Sequence, residues 1–226
     1  MVDINRILSE KYEKYFDYLN HKMVLEQLIK RGIKKKDVIE AFKKIRRDIF
    51  IPPHLKTRAY DDAAIEILPN QTISQSYVVA LMLELLELNK EQRVLEIGTG
   101  TGWQTMLLSC LAKEVYSIDI RETLNEFARD RLFNIFSSKN VKLKTDDGYN
   151  GWKEFSPFDR IIVGCSTDEI PPELISQLSD NKGIMVIPVG KENNQKLKVV
   201  KKNKEKIEIS DSIDVLFVRL IREQVS

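Results

Sequence analysis

The hydrophobic positions of the first fifty residues recur at helical spacing. In residues 1–20 the apolar side chains lie three or four positions apart, at Ile4, Leu8, Tyr12, Tyr15 and Leu19. This spacing predicts one buried face of an amphipathic helix. A second helix is predicted over residues 22–31, ending at Gly32, because glycine readily adopts the left-handed conformation that closes helices. A third helix is predicted to begin near Asp37, a favourable N-cap residue.

Residues 54–72 show no clear period, and we expect a loop there. A loop of that length inside a compact chain is more often functional than idle.

From residue 76 onward, short apolar runs alternate with helical patterns. Helices are predicted over 77–88, 103–112, 122–136 and 171–178, and strands over 93–97, 115–119, 141–144 and 160–163. Strands that alternate with helices form parallel sheets with helices on both faces. Four further strands follow without intervening helices, over 184–189, 196–200, 206–209 and 215–220. The pattern predicts an α/β fold with a doubly wound, mostly parallel sheet and a C-terminal antiparallel extension.

The charge balance narrows the classes of function. The 226 residues include 36 Lys and Arg against 34 Asp and Glu, a net charge of +2, which gives no electrostatic argument for a general nucleic-acid or membrane binder. The longest apolar stretch, residues 77–88, contains Glu84 and Glu87 and is too short to span a bilayer. Residues 1–9 lack the continuous apolar region of a signal peptide. We therefore expect no nucleic-acid partner, no membrane association and a cytoplasmic location.

Cysteine and histidine are too few for the common metal frameworks. Cys110 and Cys165 are the only cysteines and His21 and His54 the only histidines. This count excludes a disulfide scaffold or a multi-cysteine zinc site, and the spacing matches no ligand pattern. We expect no metal.

A glycine-rich turn between a predicted strand and a predicted helix is the sharpest local signal. Gly98, Gly100 and Gly102 allow the backbone to turn tightly and to approach a ligand without Cβ clashes. The N-terminus of the following helix offers free N–H groups. The spacing departs from the dinucleotide pattern G-x-G-x-x-G, and a tight turn without a ligand remains the alternative.

Acidic residues stand at the carboxyl ends of three predicted strands. Glu96 precedes the first glycine, and its charge disfavours a pyrophosphate but suits a cation such as the sulfonium and amino groups of S-adenosylmethionine. Asp119 ends the next strand and could accept hydrogen bonds from two ribose hydroxyls, or cap a helix. Asp146 and Asp147, before Gly148, could face an adenine amino group, or form an ordinary turn.

Several motifs occur in an order that extends this picture. They are QTISQ at 71–75, VLEIGTGTGW at 94–103, DG at 147–148, GW at 151–152, PFD at 157–159 and GIMVIPVG at 183–190, with RDIFIPP at 47–53 and AYDD at 59–62 upstream. Together they resemble the protein-L-isoaspartate O-methyltransferase family, S-adenosylmethionine-dependent enzymes that repair damaged Asp and Asn residues. The resemblance covers about residues 23–220. The glycine loop is shared by many methyltransferases, whereas the QTIS segment upstream of it is much more specific.

The resemblance implies a Rossmann-like class I methyltransferase core with N-terminal helices. It implies one domain over residues 1–226. Within it, 1–75 form the N-terminal helical and substrate-loop segment, 76–190 the cofactor-binding core and 191–226 the C-terminal strands.

The resemblance also implies roles for individual residues, with S-adenosylmethionine as cofactor. The implied cofactor-binding residues are Thr72, Ser74, Glu96, Gly98, Gly100, Asp119, Asp147 and Gly148. Glu96 and the two glycines would line the methionine end, Asp119 would bind the ribose, and Asp147 with Gly148 would border the adenine. Ser74 matches the family's active-site serine, beside the methyl donor and the substrate carboxylate. Without the family match, Ser74 would be interpreted as an N-cap for helix 77–88, and both roles can coexist.

There are three departures from the family pattern, and the first two concern the substrate more than the cofactor. Ser76 stands where proline is usual, residues 164–169 (GCSTDE) replace an alanine-rich run that ends in proline, and Arg219 stands where proline is common. Arg219 could pair with a second carboxylate near the site, or be an exposed edge-strand residue.

The function implied is esterification of the free carboxylate of L-isoaspartyl residues in proteins or peptides. Three alternatives stay open. One is a paralogue that methylates a specific Asp of a modified precursor peptide in natural-product maturation. The others are a small-molecule or nucleic-acid methyltransferase and a non-catalytic binding module on the same fold. The oligomeric state is open, with a monomer favoured.

Overall fold

A seven-stranded sheet forms the centre of the molecule. The computed structural model describes residues 4–222, with side chains from Glu10 onward. The strands are β1 (Ile65–Leu68), β2 (Gln71–Ile73), β3 (Arg93–Ile97), β4 (Glu114–Asp119), β5 (Val141–Thr145), β6 (Arg160–Val163), β7 (Gly183–Lys191), β8 (Asn194–Asn203) and β9 (Lys206–Val215). The strands β1 and β2 form a separate hairpin, and the others are ordered β5-β4-β3-β6-β7-β8-β9. The pairs from β5 to β7 are parallel and the last two antiparallel, which confirms the predicted sheet.

Helices cover both faces of this sheet. They are α1 (Ile4–Met23), α2 (Lys36–Lys44), α3 (Ser76–Leu85), α4 (Trp103–Leu111), α5 (Glu122–Arg129) and α6 (Pro172–Gln177). Short π-helical segments, Val24–Ile29 and Asp130–Ile135, continue α1 and α5. Within residues 4–222 no helix has the length and apolar character needed to cross a membrane.

The order of the strands creates a crevice at the carboxyl end of β3. The chain runs from β3 outward to β4 and β5, then returns to pair β6 with the other side of β3. Ligands of open α/β sheets bind at such a switch point, because the loops that follow the two neighbouring strands diverge there. The amide N–H of Gly98 donates to Ile118 O (2.7 Å) and that of Gly164 to Ile97 O (2.7 Å), which fixes the two loops at this edge.

Two apolar clusters hold the layers together, and alternate residues of β3 contribute to each. Val94 belongs to the cluster that contains the N-terminal helices, α3 and α4, in which the rings of Phe42 and Trp103 meet edge to face at 5.4 Å. Leu95 and Ile97 belong to the cluster on the opposite face. A strand buried on both sides is expected to be apolar at nearly every position, and Glu96 is the exception among the four buried residues of β3.

The prediction of a plain loop over residues 54–72 is wrong. The segment contains a 3-10 turn, Pro53–Arg58, and the antiparallel hairpin of β1 and β2. The burial of β1 alternates along Ile65–Leu68, but strands of four and three residues are too short to show a period in the sequence.

The predicted strand over 206–209 is confirmed but continues further than predicted, and the predicted strand over 215–220 is wrong. A single strand, β9, runs through Val215, and the chain then leaves the sheet. Val215 pairs with Gln195, the second residue of β8, so only Asn194 of β8 remains beyond this pair and the chain has almost no partner strand left. Beyond this point Arg219 forms only an isolated bridge with Ser166.

The buried face of α1 differs from the predicted face. Tyr12 and Tyr15 are exposed, whereas Phe16, Asn20 and Met23 are buried; residues 1–3 and the side chains of Ile4 and Leu8 lie outside the described part. A pair of hydrogen bonds accounts for this orientation of α1: Asn20 Nδ2 donates to the carbonyls of Phe42 (3.0 Å) and Lys43 (3.1 Å) at the end of α2. A polar residue therefore lies at the centre of the docked face.

The start of α2 also differs, because a carboxylate from another helix caps it. The helix begins at Lys36, not at Asp37, and its N-cap residue Lys35 makes no side-chain cap bond. Instead Glu84 Oε1, from α3, accepts the amides of Lys34 (2.7 Å) and Lys35 (2.6 Å).

Candidate active site

A buried arginine shapes the QTIS segment. Arg47 is fully buried, and its guanidinium donates to five backbone carbonyls, those of Ala59, Asp61, Ala63, Ile73 and Ser74. The shortest bonds are 2.8 Å, to Ala59 O and Ser74 O. Burial lowers the pKa of Arg47 to about 10, so the side chain stays charged at neutral pH. One side chain thus joins residues 59–63, which precede the hairpin, to Ile73 of β2 and to Ser74, which precedes α3.

Ser74 lies between two cavities. One is shared with the glycine loop, Trp103 and Gln104, and the other, of about 290 Å³, extends to Leu216 and Phe217. The alternative that Ser74 caps α3 is wrong, because the N-cap residue is Gln75 and no side-chain cap bond forms. Among the described residues, the Ser74 hydroxyl makes no hydrogen bond, while its carbonyl is held by Arg47. The hydroxyl is free to orient a group in either cavity.

The glycine loop adopts backbone conformations that other residues rarely tolerate. Gly98, Gly100 and Gly102 have φ values of +93°, +55° and +86°. A Cβ at Gly102 would also lie 3.0 Å from that of Ala128. The glycines are therefore required by the turn itself, whatever ligand the turn receives.

Glu96 lies beneath this loop in a closed hydrogen-bond network. Its carboxylate is fully buried and accepts bonds from Gln104 Nε2 (3.0 Å), Thr105 Oγ1 (2.6 Å) and Ser117 Oγ (2.6 Å). Burial raises the pKa of Glu96 to about 7, although the three donors favour the ionised form. Glu96 lines neither of the two cavities beside Ser74, whereas Gln104 lines the cavity that Ser74 shares with the glycine loop.

Asp119 lies at the end of β4 and borders the crevice at the carboxyl end of β3, which is called the cleft from here on. Its Oδ2 accepts the amide of Gly100 (2.8 Å) and its Oδ1 that of Arg121 (3.0 Å). Burial raises its pKa above the usual value. The carboxylate fixes the glycine loop and retains lone pairs for donors that enter the cleft. It does not occupy the N-cap position of α5, which is Arg121.

Asp147 and Gly148 follow β5 at the same edge. Asp147 is 5% exposed and accepts the amide of Tyr149 (2.9 Å), so it begins a short 3-10 turn. Gly148 lies directly against Ile97, and a Cβ there would come within 2.4 Å of Ile97 Cγ2. The backbone at this point forms a wall of the cleft.

The cleft brings most of the predicted residues together. It is lined by Gln71, Thr72, Ile97, Gly98, Gly100, Ile118, Asp119, Ile120, Gly148, Gly164, Cys165 and residues 218–221. Thr72, Gly98 and Gly100 line the neighbouring cavity as well, beside Ser74. Glu96 and Asp147 lie just behind these walls. An acidic edge, glycine backbone and apolar side chains together suit a ligand with hydroxyl groups and an apolar ring.

Residues 217–220 form one wall of the cleft, through the lining residues 218–220, and the sequence did not indicate this role. The carbonyl of Val218 accepts the amide of Ser166 (2.8 Å), and the amide of Leu220 donates to Ser166 O (2.8 Å). Gln195 clamps the start of this segment, since its Oε1 accepts the amide of Phe217 (2.7 Å) and its Nε2 donates to Phe217 O (3.2 Å). The buried Gln195 and Arg47 are the two positioning residues that sequence reasoning missed.

The cysteines and the acidic residues supply neither a nucleophile nor a metal centre in the described structure. Burial strongly raises the pKa of the Cys165 thiol, so it is protonated at neutral pH. Within residues 4–222 no cluster of three or more His, Cys, Asp or Glu side chains is placed to hold a metal ion.

Comparisons with known proteins agree with this geometry. The family model described as protein-L-isoaspartate(D-aspartate) O-methyltransferase matches residues 19–225. A protein-L-isoaspartate O-methyltransferase of Dictyoglomus turgidum is 47% identical over 80% of this chain and 82% of its own length. Another, of Petrotoga mobilis, is 43% identical over 92% of this chain and 98% of its own.

A solved structure carries the same fold. It is a Plasmodium falciparum protein assigned to this enzyme class, in complex with S-adenosyl-L-homocysteine. It is 26% identical, with a TM-score of 0.77, over 90% of this chain and 99% of its own. The family model and the two relatives cover most of the sequence, and the chain belongs to the protein-L-isoaspartate(D-aspartate) O-methyltransferase family.

Proposed function

We propose that this protein transfers a methyl group from S-adenosylmethionine to the free carboxylate of L-isoaspartyl residues in proteins or peptides. Family membership supports the activity, and relatives of this name are 40–47% identical. The observation that carries the proposal is the Ser74 hydroxyl, unbonded among the described residues and placed between the glycine-loop cavity and the cavity beside Leu216 and Phe217. A methyl donor and a peptide carboxylate can reach such a hydroxyl from opposite sides.

The residues of the cleft fit the proposed cofactor. When bound, S-adenosylmethionine supplies an electrophilic methyl group on a sulfonium. Asp119 offers acceptors for ribose hydroxyls, and Ile97 and the backbone of Gly148, packed directly against each other, form an apolar wall for a flat ring. Thr72, Gly98 and Gly100 line the region between this wall and Ser74. We propose that Asp147 borders the adenine through the turn that it caps. We also propose that Glu96 supports the methionine end of the cofactor indirectly, by holding the side chain of Gln104.

The remaining catalytic work is alignment and exclusion of water. The substrate carboxylate is already ionised at neutral pH, so the reaction needs no general base. With S-adenosylmethionine bound, one carboxylate oxygen would take the methyl group from the sulfonium, which would leave as a neutral thioether, so the residues of this chain need to move no proton. Ser74 holds the other oxygen by donating its hydroxyl hydrogen, which fixes the angle of attack. The apolar side chains of Leu216 and Phe217 exclude water from the carboxylate.

Paired peptides test the proposal directly. Two synthetic peptides that differ only in L-isoaspartate or L-aspartate are incubated with labelled S-adenosylmethionine and the protein. We expect label in the isoaspartyl peptide alone. With Ser74→Ala we expect kcat to fall about 100-fold, as for the loss of one orienting hydrogen bond at a reacting group, while S-adenosylhomocysteine affinity changes little.

Ser210→Ala is the matched control, because Ser210 is exposed on β9 and lines neither cavity. Its kcat is expected to equal that of the wild type. No label in either peptide, with S-adenosylhomocysteine binding intact by calorimetry, would favour a dedicated precursor peptide as substrate. No binding of S-adenosylhomocysteine would favour a non-catalytic module.

We propose a cytoplasmic monomer, organised as one domain over residues 1–226 with the three segments given above. Two unpaired cysteines, Cys110 and Cys165, support a reducing compartment. The near balance of charges supports a protein partner and neither nucleic acid nor membrane.

A further inference from the structure

The wall formed by residues 217–220 carries an ion pair on the side chain of Arg219. Arg219 Nη2 donates to Asp168 Oδ1 (2.5 Å), and its Nη1 donates to Gly190 O (3.0 Å). Asp168 lies in the loop after β6, and Gly190 lies near the end of β7. One side chain therefore joins the wall to this loop and to β7. Its partner is a carboxylate of the chain itself.

The pair is half-exposed. Both side chains keep 48% of their accessible surface. Asp168 lies in the GCSTDE run, in the loop between β6 and α6.

The segment next to Arg219 faces the cleft. Residues 218–221 line it opposite Gly98, Asp119 and Gly148. The backbone of the segment is held at two residues. Ser166 bonds Val218 and Leu220 through its backbone, and its Oγ lies 3.4 Å from both Phe217 O and Val218 O, while Gln195 holds Phe217. The side chain of Arg219 adds an attachment to Asp168 and Gly190 and therefore affects how often this wall opens.

We propose that Arg219 and Asp168 form an ion-pair clasp that holds residues 218–221 against the cleft and so sets the rate at which an S-adenosyl ligand dissociates. Arg219 is a positioning residue, since its guanidinium is bonded to Asp168 and Gly190, neither of which lines the cleft. The inference rests on the proposed function, because it takes the cleft to be the cofactor site.

The expected size of the effect follows from the exposure of the pair. Exposed ion pairs contribute about 0.2–1 kcal/mol, which corresponds to a change of about 1.4- to 5-fold in a rate or equilibrium constant. Salt screens such pairs, so the effect weakens as ionic strength rises. The bonds to Ser166 persist without the clasp, and the segment therefore opens more often without being lost.

The test measures the dissociation rate constant of S-adenosylhomocysteine by stopped-flow displacement at low and high salt. S-adenosylhomocysteine should dissociate about 1.4- to 5-fold faster from Arg219→Ala and from Asp168→Ala than from the wild type at 50 mM salt. At 1 M salt all three proteins should dissociate at similar rates. The exchanged double variant Asp168→Arg/Arg219→Asp should return toward the wild-type rate.

Lys196→Ala is the matched control. It removes an exposed ion pair between Lys196 and Asp214 (3.2 Å) from the hairpin of β8 and β9, which precedes the wall, and it leaves the wall residues unchanged. Its dissociation rate should equal that of the wild type. The clasp is overturned if wild type binds the ligand but Arg219→Ala dissociates at the same rate, or if Asp168→Ala is unchanged while Arg219→Ala is fast. Failure of the wild type to bind S-adenosylhomocysteine would overturn the proposed function, and the clasp with it.

Discussion

At the scale of the residue, Glu96 couples the site to pH. Its pKa is raised to about 7 by burial, so the folded protein binds a proton that the unfolded chain releases near its ordinary value of about 4.5. The stabilisation that protonation supplies is complete below pH 4.5 and is lost as the pH rises through 7. The three hydrogen-bond donors limit this loss without removing it.

We therefore expect Glu96→Gln to lose less stability between pH 4.5 and 7.5 than the wild type. The difference should be on the order of 3 kcal/mol, since each pKa unit corresponds to about 1.36 kcal/mol. Urea unfolding at several pH values measures it, and subtracting the two curves removes the titration of other groups. Parallel curves would show that Glu96 has an ordinary pKa in the folded protein.

Single residues also show what sequence can and cannot predict. Gly98, Gly100 and Asp119 were predictable because the ligand edge of an α/β sheet places chemistry at fixed offsets from a strand end. Arg47 was not, because its five carbonyl partners lie 12 to 27 residues away and have no side-chain signature. The orientation of Glu96 was not predictable either, since its partners come from α4 and β4.

At the scale of the element, the contact between β3 and the turn after β5 sets the shape of the cleft. Gly148→Ala would place a methyl carbon 2.4 Å from Ile97 Cγ2, at the end of β3. Overpacking of this kind costs about 1–3 kcal/mol. We expect lower thermal stability and about tenfold weaker binding of S-adenosylhomocysteine, measured by calorimetry.

The double variant Gly148→Ala/Ile97→Ala distinguishes this clash from other causes. It removes the Cγ2 that the new methyl group meets, so binding should recover relative to the single Gly148 variant. Equal binding in the single variant and the wild type would show that the turn moves freely.

Elements with a clear pattern of apolar residues were predictable from the sequence. Elements that tertiary contacts determine were not. Each of the five parallel strands was predicted to within two residues of its bounds, because four of them are mostly apolar and β5 alternates apolar and polar residues. The β1–β2 hairpin and the departure of residues 216–222 from the sheet depend on tertiary contacts. These are the bonds from Arg47, the start of β8 and the clamp at Gln195.

At the scale of the whole molecule, α1 is an appendage that docks at a distance from the site. Phe16 is 2% exposed on the inner face of α1, and Arg46 pairs with Glu13 (2.7 Å) and Asp17 (3.0 Å) on its flank. No described residue of α1 lines either cavity beside Ser74 or the cleft.

Phe16→Ala should therefore release α1 without disturbing ligand binding. We expect about 3–5 kcal/mol of lost docking energy, seen as faster hydrogen exchange in residues 10–23. The affinity for S-adenosylhomocysteine should stay unchanged. Tyr18→Ala is the control, because Tyr18 is 62% exposed, and should exchange like the wild type. Weaker ligand binding in Phe16→Ala would mean that α1 supports the site through the core.

The wall at residues 217–220 also has a consequence for biosynthesis. Ribosomes extend a chain from its N-terminus, and domains fold as their elements emerge. Every strand of the sheet precedes this wall in the sequence. A nascent chain can therefore complete its sheet while the cleft still stands open on one side. Competence to retain a cofactor thus comes later in synthesis than the fold itself.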